Sequence, residues 1–185
     1  MDALSKKISI TGTSNKYHMK KLTNKSQGDE IKKRVKTEKW SFSEEYYKYE
    51  NQLLMISDIS NNNLNYTNEV SKIAIQEINT KIYSYKQQDI IKKRYDENNF
   101  LTFDSIINKM IDCMLKCRYC KKEINVLYDI SREMTQWSVD RINNDLGHNI
   151  DNYHLACLEC NLKRRRRSDE NFLFTKQLHI IKQDN

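Results

Sequence analysis

The sequence predicts a small α+β fold with a helical first part, a short-segment second part and a basic N-terminal arm. Three observations predict it. Between residues 67 and 95 the apolar positions Val70, Ile73, Ala74, Ile78, Ile82 and Tyr85 recur mostly at three- and four-residue steps, the period of an amphipathic helix. After Leu115 the chain changes to short segments, of which Val126-Leu127-Tyr128 and Trp137-Ser138-Val139 resemble strands. Four of the five cysteines fall into two identical pairs, Cys117-x2-Cys120 and Cys157-x2-Cys160.

Taken in order, residues 1–39 show no sustained period and predict an irregular arm. The segment from Ser43 to about Ile59 predicts a helix with acids in its first turn, broken by Asn61-Asn62-Asn63. The long helix over 67–95 follows, its Ile/Tyr stripe suited to core packing or a partner helix. Thr102 is placed to cap a third helix, FDSIINKMIDCML, with Ile106, Ile107, Met110, Ile111 and Leu115 on its apolar face. A last helix is expected from about Asn152. The domain division predicted is 1–39, 40–112, 113–175 and a tail at 176–185.

Composition excludes several classes. The 185 residues contain no proline and three glycines, so the chain is not collagen-like or proline-rich. No apolar run approaches the ~20 residues of a membrane span. The N-terminal residues carry lysines without an apolar signal core, so a soluble intracellular protein, cytoplasmic or nuclear, is expected. The net charge of +7 is uneven: residues 1–39 hold 11 basic and 4 acidic residues, and the remainder holds 21 of each. Such an arm suits nucleic-acid phosphates or simply solubility. A second cluster, Lys163-Arg164-Arg165-Arg166-Arg167, has too few nearby acids to pair with every cation.

Without a secretory signal, a disulfide framework is not expected of the cysteines. A two-residue gap lets both thiolates of a tight turn converge on one ion, and two such turns complete a tetrahedral site for Zn2+. The 36 residues between the pairs exceed a simple ribbon spacing, so a folded segment must lie between them. A redox pair is the alternative, but it needs only one Cys-x2-Cys and a thioredoxin-like context. Cys113 reads as a packed thiol. Four thiolates leave no open coordination position, so such a zinc is structural.

The intervening segment runs from Trp137-Ser-Val-Asp140-Arg141-Ile through a Gly147-His148 loop and Asp151-Asn152 to Leu155-Ala-Cys157-x2-Cys160-Asn161 and the basic run. In this order the features of residues 113–175 resemble an HNH endonuclease of the zinc-knuckle type, similar to those of large DNA viruses and mobile elements. The resemblance implies a ββα-metal (His-Me finger) core and a metal-dependent DNA endonuclease or nickase. Asp140 and Asn152 are hard oxygen donors suited to Mg2+ or Mn2+, and by resemblance they would serve the single catalytic ion. Asn161 would bind the metal or orient the phosphate. The competing reading pairs Asp140 with Arg141 or a loop donor and makes Asn152 a cap of the last helix.

One position departs from the family pattern. The residue after the strand aspartate is usually the histidine base, and here it is Arg141, which stays protonated and suits a phosphate clamp instead. His148 is then the first candidate for the base, followed by His154 and Tyr128; His18 and His179 lie outside the motif. Lys163 and Arg164–Arg167 would continue the last helix and contact DNA phosphates without reading sequence. DNA is the implied partner, a second copy of the chain the other candidate, and no membrane is expected. Two rival readings remain: an HNH-derived DNA-binding module that has lost catalysis, and a zinc-knuckle structural protein of a virion or chromatin assembly.

Overall fold

A computed structural model of the chain describes residues 32–61 and 69–178. The N-terminal arm up to residue 31, His18, His179 and the end of the tail lie outside the described residues. Lys33–Asn185 forms one compact unit. Among the described residues it contains five α-helices and a two-stranded antiparallel sheet, and is therefore α+β. No helix among the described residues is long and apolar enough to cross a membrane.

The end of the arm is ordered. Val35–Lys39 forms a 3-10 turn, and Lys33, Arg34 and Lys36 are paired. Arg34 meets Glu77 at 2.7 Å and donates to the Tyr128 carbonyl, while Lys36 reaches the same Glu77. Lys33 pairs with Asp129. The predicted first helix is interrupted: Glu44–Tyr47 is 3-10, Lys48 is extended (ψ 142°), and α1 runs over Tyr49–Ser60.

Helix α2 spans Glu69–Ile91, within the predicted 67–95. Its Val70, Ala74 and Ile78 are buried, and Lys93 (φ 55°) turns the chain just past its end. Helix α3 spans Phe103–Asp112. Thr102 accepts from the Ser105 N–H and Ser105 accepts from the Thr102 N–H, a reciprocal cap worth about 1 kcal/mol. These helices share one apolar core with the cysteine-bearing region, from Ile56, Ile78 and Met110 through Leu115 to Trp137 and Phe172. Each such fully buried aliphatic side chain contributes about 1.5–3 kcal/mol.

Strand β1 is Trp137–Arg141 and strand β2 is Tyr153–Cys157, paired so that Trp137 faces Cys157 and Asp140 faces His154. Two expectations fail here. Val126-Leu127-Tyr128 is buried but not a strand; the Gln52 side chain of α1 satisfies the Val126 and Leu127 N–H groups that a neighbouring strand would otherwise meet. The last helix does not begin at Asn152 but at Leu158, because residues 153–157 pair with β1 instead. Helix α4, Leu158–Arg164, packs on both strands, and α5 spans Asp169–Gln177.

Candidate metal centre and basic surface

Cys117 and Cys120 sit in the tight turn after α3, Cys157 ends β2, and Cys160 lies in the first turn of α4. Their four sulfurs lie within 4.8 Å of one another, and Cys120 Sγ to Cys157 Sγ is 3.8 Å. Four sulfurs about 2.3 Å from one zinc would stand about 3.8 Å apart, so the donor set fits a tetrahedral ion. All five cysteines are free thiols, and Cys113 stays outside the cluster, its sulfur on the Met110 carbonyl.

The electrostatics fit the same donor set. The Cys157 thiol beside it, with backbone N–H groups, brings Cys117 down to about 4, against the opposing effect of burial. Cys157 is raised in return by Cys117 and by burial, and burial pushes Cys160 up to about 12. Sulfurs this close cannot all ionise beside one another unless a cation lies among them. A bound zinc would tie the turn after α3, the end of β2 and the start of α4 into one clip.

Asp140 is buried on β1 with both oxygens engaged. Tyr119 lies 2.5 Å from Oδ2, and Arg164 donates to Oδ1 at 2.8 Å. Tyr119 also stands 2.6 Å from Oδ1 of Asp169, the first residue of α5. The Tyr119 hydroxyl, with a single proton to give, stands between the two carboxylates. Burial raises Asp140 above the usual carboxylate range despite Tyr119 and Arg164. Burial together with the two carboxylates raises Tyr119.

Asn152 precedes β2 and turns its carboxamide into the loop. Its Oδ1 accepts from the Asn143 N–H, and its Nδ2 donates to the Asn143 and Gly147 carbonyls. It closes the 143–152 loop, a role closer to a cap than to a ligand. As placed, Asp140 and Asn152 do not fit a magnesium ion held between them. Their oxygens already have protein donors, and a guanidinium occupies the cation position at Asp140. No reaction step is therefore routed through such an ion.

The remaining residues divide clearly. Arg141 donates to the Leu146 carbonyl and lies 4.0 Å from Asp89. His148 is buried: its Nδ1 is 2.8 Å from Asp89 Oδ1, its N–H donates to Asp89 Oδ2, and its ring stacks on Tyr85. Burial holds His148 below its usual value, as it does His154. His154 lies on a strand, not a helix, with Nε2 3.5 Å from Asp169. Tyr128 is buried and donates to Gln136. Asn161 donates through Nδ2 to Ser138 and to the Val139 carbonyl, leaving its oxygen as the atom that can meet a ligand.

The basic run does not continue the helix. Helix α4 ends at Arg164, and Arg165 (φ 55°) turns the chain away. Arg164 is fully buried, with Nη1 on Asp140 and the Arg141 carbonyl and Nη2 on the Ile142 carbonyl. It is an internal strut, not a DNA contact. Lys163, Arg165, Arg166 and Arg167 are exposed. Lys163 pairs with Glu159, and Arg166 approaches Asp145 at 3.8 Å. Lys163, Arg165 and Arg167 join Phe172 and Lys176 around a concavity of about 730 Å3.

Tyr119, Asp169 and Asp89 were not singled out from the sequence. Asp89 left a signal: it lies four residues after Tyr85, so it continues the apolar stripe of α2 as a buried carboxylate. Comparison with protein-family models, curated proteins and solved structures finds no match to this chain.

Proposed function

We propose that this chain is a DNA-binding protein of the HNH plan, in which a zinc-clipped unit presents cations to the phosphodiester backbone. The observation that carries this reading is the sequence of elements around the cysteine cluster. Strand β2, paired antiparallel with β1, runs straight into α4, two of the four sulfurs lie at that junction, and α4 and the turn after it carry the exposed Lys163 and Arg165–Arg167. Asp140 anchors Arg164 from within.

A second reading, a metal-dependent endonuclease or nickase, is favoured by Asn161. Its amide nitrogen is fixed beside β1 and its oxygen is the atom left for a ligand. On that reading the Asp140–Arg164 pair must part before Asp140 can serve a cation.

One experiment separates them. Anisotropy titrations of a fluorescent 20-base-pair duplex give affinity against salt, and supercoiled plasmid with Mg2+ or Mn2+ reports cleavage. Binding that weakens steeply with salt, without nicking, supports the binding reading. Nicking abolished by Asp140→Asn and by Asn161→Ala, with zinc content and far-UV circular dichroism unchanged, supports the nuclease. Neither binding nor cleavage by the zinc-loaded protein overturns both.

A further inference from the structure

We infer that a second basic concavity, on the knuckle side of β2, is a subsite for the phosphodiester backbone of a nucleic acid. The inference rests on the DNA-binding reading and adds to it a surface outside the 163–167 run. The concavity has a volume of about 450 Å3. Lys109 from α3, Lys116, Arg118 and Lys121 from the cysteine turn and His154 from β2 line it, with Asp112 as the one acid on its wall.

Its charge is nearly of one sign, and of its lysines and arginine only Arg118 has a carboxylate within ion-pair reach among the described residues. Arg118 also has an unmet donor. Its Nε is buried without an acceptor among the described residues, while its side chain is 39% exposed and its Nη2 stands 4.0 Å from Asp169. The exposed part of the same guanidinium can donate to a phosphate oxygen.

The two concavities are connected through α5. Arg118 and His154, on the wall of the smaller one, both approach Asp169, while Phe172, Thr175 and Lys176 farther along α5 line the larger one. A strand lying across the start of α5 would meet Lys109, Lys116 and Lys121 at one end. At the other it would meet Arg165, Arg167 and Lys176. The competing explanation is that the lysines merely balance the negative charge of a four-thiolate zinc.

The test compares a Lys109→Gln/Lys116→Gln/Lys121→Gln variant with an Arg165→Gln/Arg167→Gln variant, both zinc-loaded and full length. Zinc content and far-UV circular dichroism check that each is folded. With the 20-base-pair duplex, the lysine variant is expected to bind more weakly, with a salt slope shallower by about three. The arginine variant should show a further, separate reduction. If the arginine variant weakens binding while the lysine variant binds like wild type, this inference is overturned and the DNA-binding reading stands. If wild type does not bind the duplex, both fall. Unchanged duplex affinity with faster zinc loss to a chelator establishes charge balance instead. Calorimetric binding of inorganic phosphate alone, abolished in the lysine variant without change in duplex affinity, makes the site one for free phosphate and also overturns the inference.

Discussion

Arg164 and Asp140 form a buried ion pair, Nη1 to Oδ1 at 2.8 Å, with side chains 1% and 5% exposed. It joins the last residue of α4 to the penultimate residue of β1. The same guanidinium meets the carbonyls of Arg141 and Ile142, where the chain leaves the sheet. Removing one partner of a buried pair leaves an uncompensated charge, which costs about 3–5 kcal/mol. Arg164→Ala should therefore lower unfolding stability by that amount in urea titrations of the zinc-loaded protein. The double change Arg164→Met/Asp140→Leu should recover most of the loss, because no charge is then left buried. A loss under about 1 kcal/mol for Arg164→Ala would contradict the burial described above.

The sulfur cluster predicts one zinc per chain. Elemental analysis should find one equivalent, and Co2+ substitution should give the absorption of a tetrahedral thiolate site. Structural zinc sites bind with about 10–16 kcal/mol at neutral pH, comparable with the whole stability of a domain of about 5–15 kcal/mol. Chelation should thus unfold the β1–β2–α4 unit. Cys160→Ser should bind zinc far more weakly, and Cys113→Ser should not. Equal zinc retention in both variants would place the ligands elsewhere.

Gly147 marks where the 143–152 loop presses on the end of α2. A Cβ added there would lie 2.4 Å from the Arg94 carbonyl oxygen and 3.0 Å from Asp89 Oδ2. The carbonyl is backbone and cannot swing aside. Over-packing of this kind typically costs about 1–3 kcal/mol. Gly147→Ala should show that loss in thermal or urea unfolding, with a shifted His148 ring resonance because Asp89 holds that ring. A variant as stable as wild type, with an unmoved His148 signal, would show that the loop is not closed this way.

Much of the fold was legible where a single local pattern decides it. The 3.6-residue period over α2, the Thr102 cap of α3 and the paired cysteines each carry their own signal. Strand β2 was not legible, because Leu155, Ala156 and Cys157 are buried in succession and leave no two-residue alternation. Asp151-Asn152 before it also looks like a helix start. Within a run of four arginines nothing local marks Arg164 as the buried one; only the approach of Asp140 from β1 does. Tyr119 likewise owes its place to Asp140 and Asp169, which are distant in sequence. Nor does the sequence show that Asp140 and Asn152 both have partners within the protein, because it gives donor types and spacing, not which donors the protein already engages.

Lys81 of α2 gives a pH dependence whose sign follows from its surroundings. Its ammonium donates to the Trp137 carbonyl and lies 4.7 Å from the Trp137 ring centre and 5.4 Å from that of Tyr128. Burial, with Arg34 and Lys36 acting the same way against Glu77, pushes it down to about 7 from 10.5. The unfolded chain therefore binds more protons than the folded one between about pH 7 and 10.5, and stability rises with pH across that window. The contribution is complete only above the unfolded value and is lost as pH falls toward about 7. Tyrosines ionise at the upper end, so the useful range is pH 6.5 to about 9.5. Lys81→Met lacks the titrating group. Over this range wild type should gain stability relative to the variant as pH rises, measured as the difference in urea midpoints. A difference that stays flat, or shrinks toward alkaline pH, would mean that the ammonium is as well accommodated beside the two rings as it is in water.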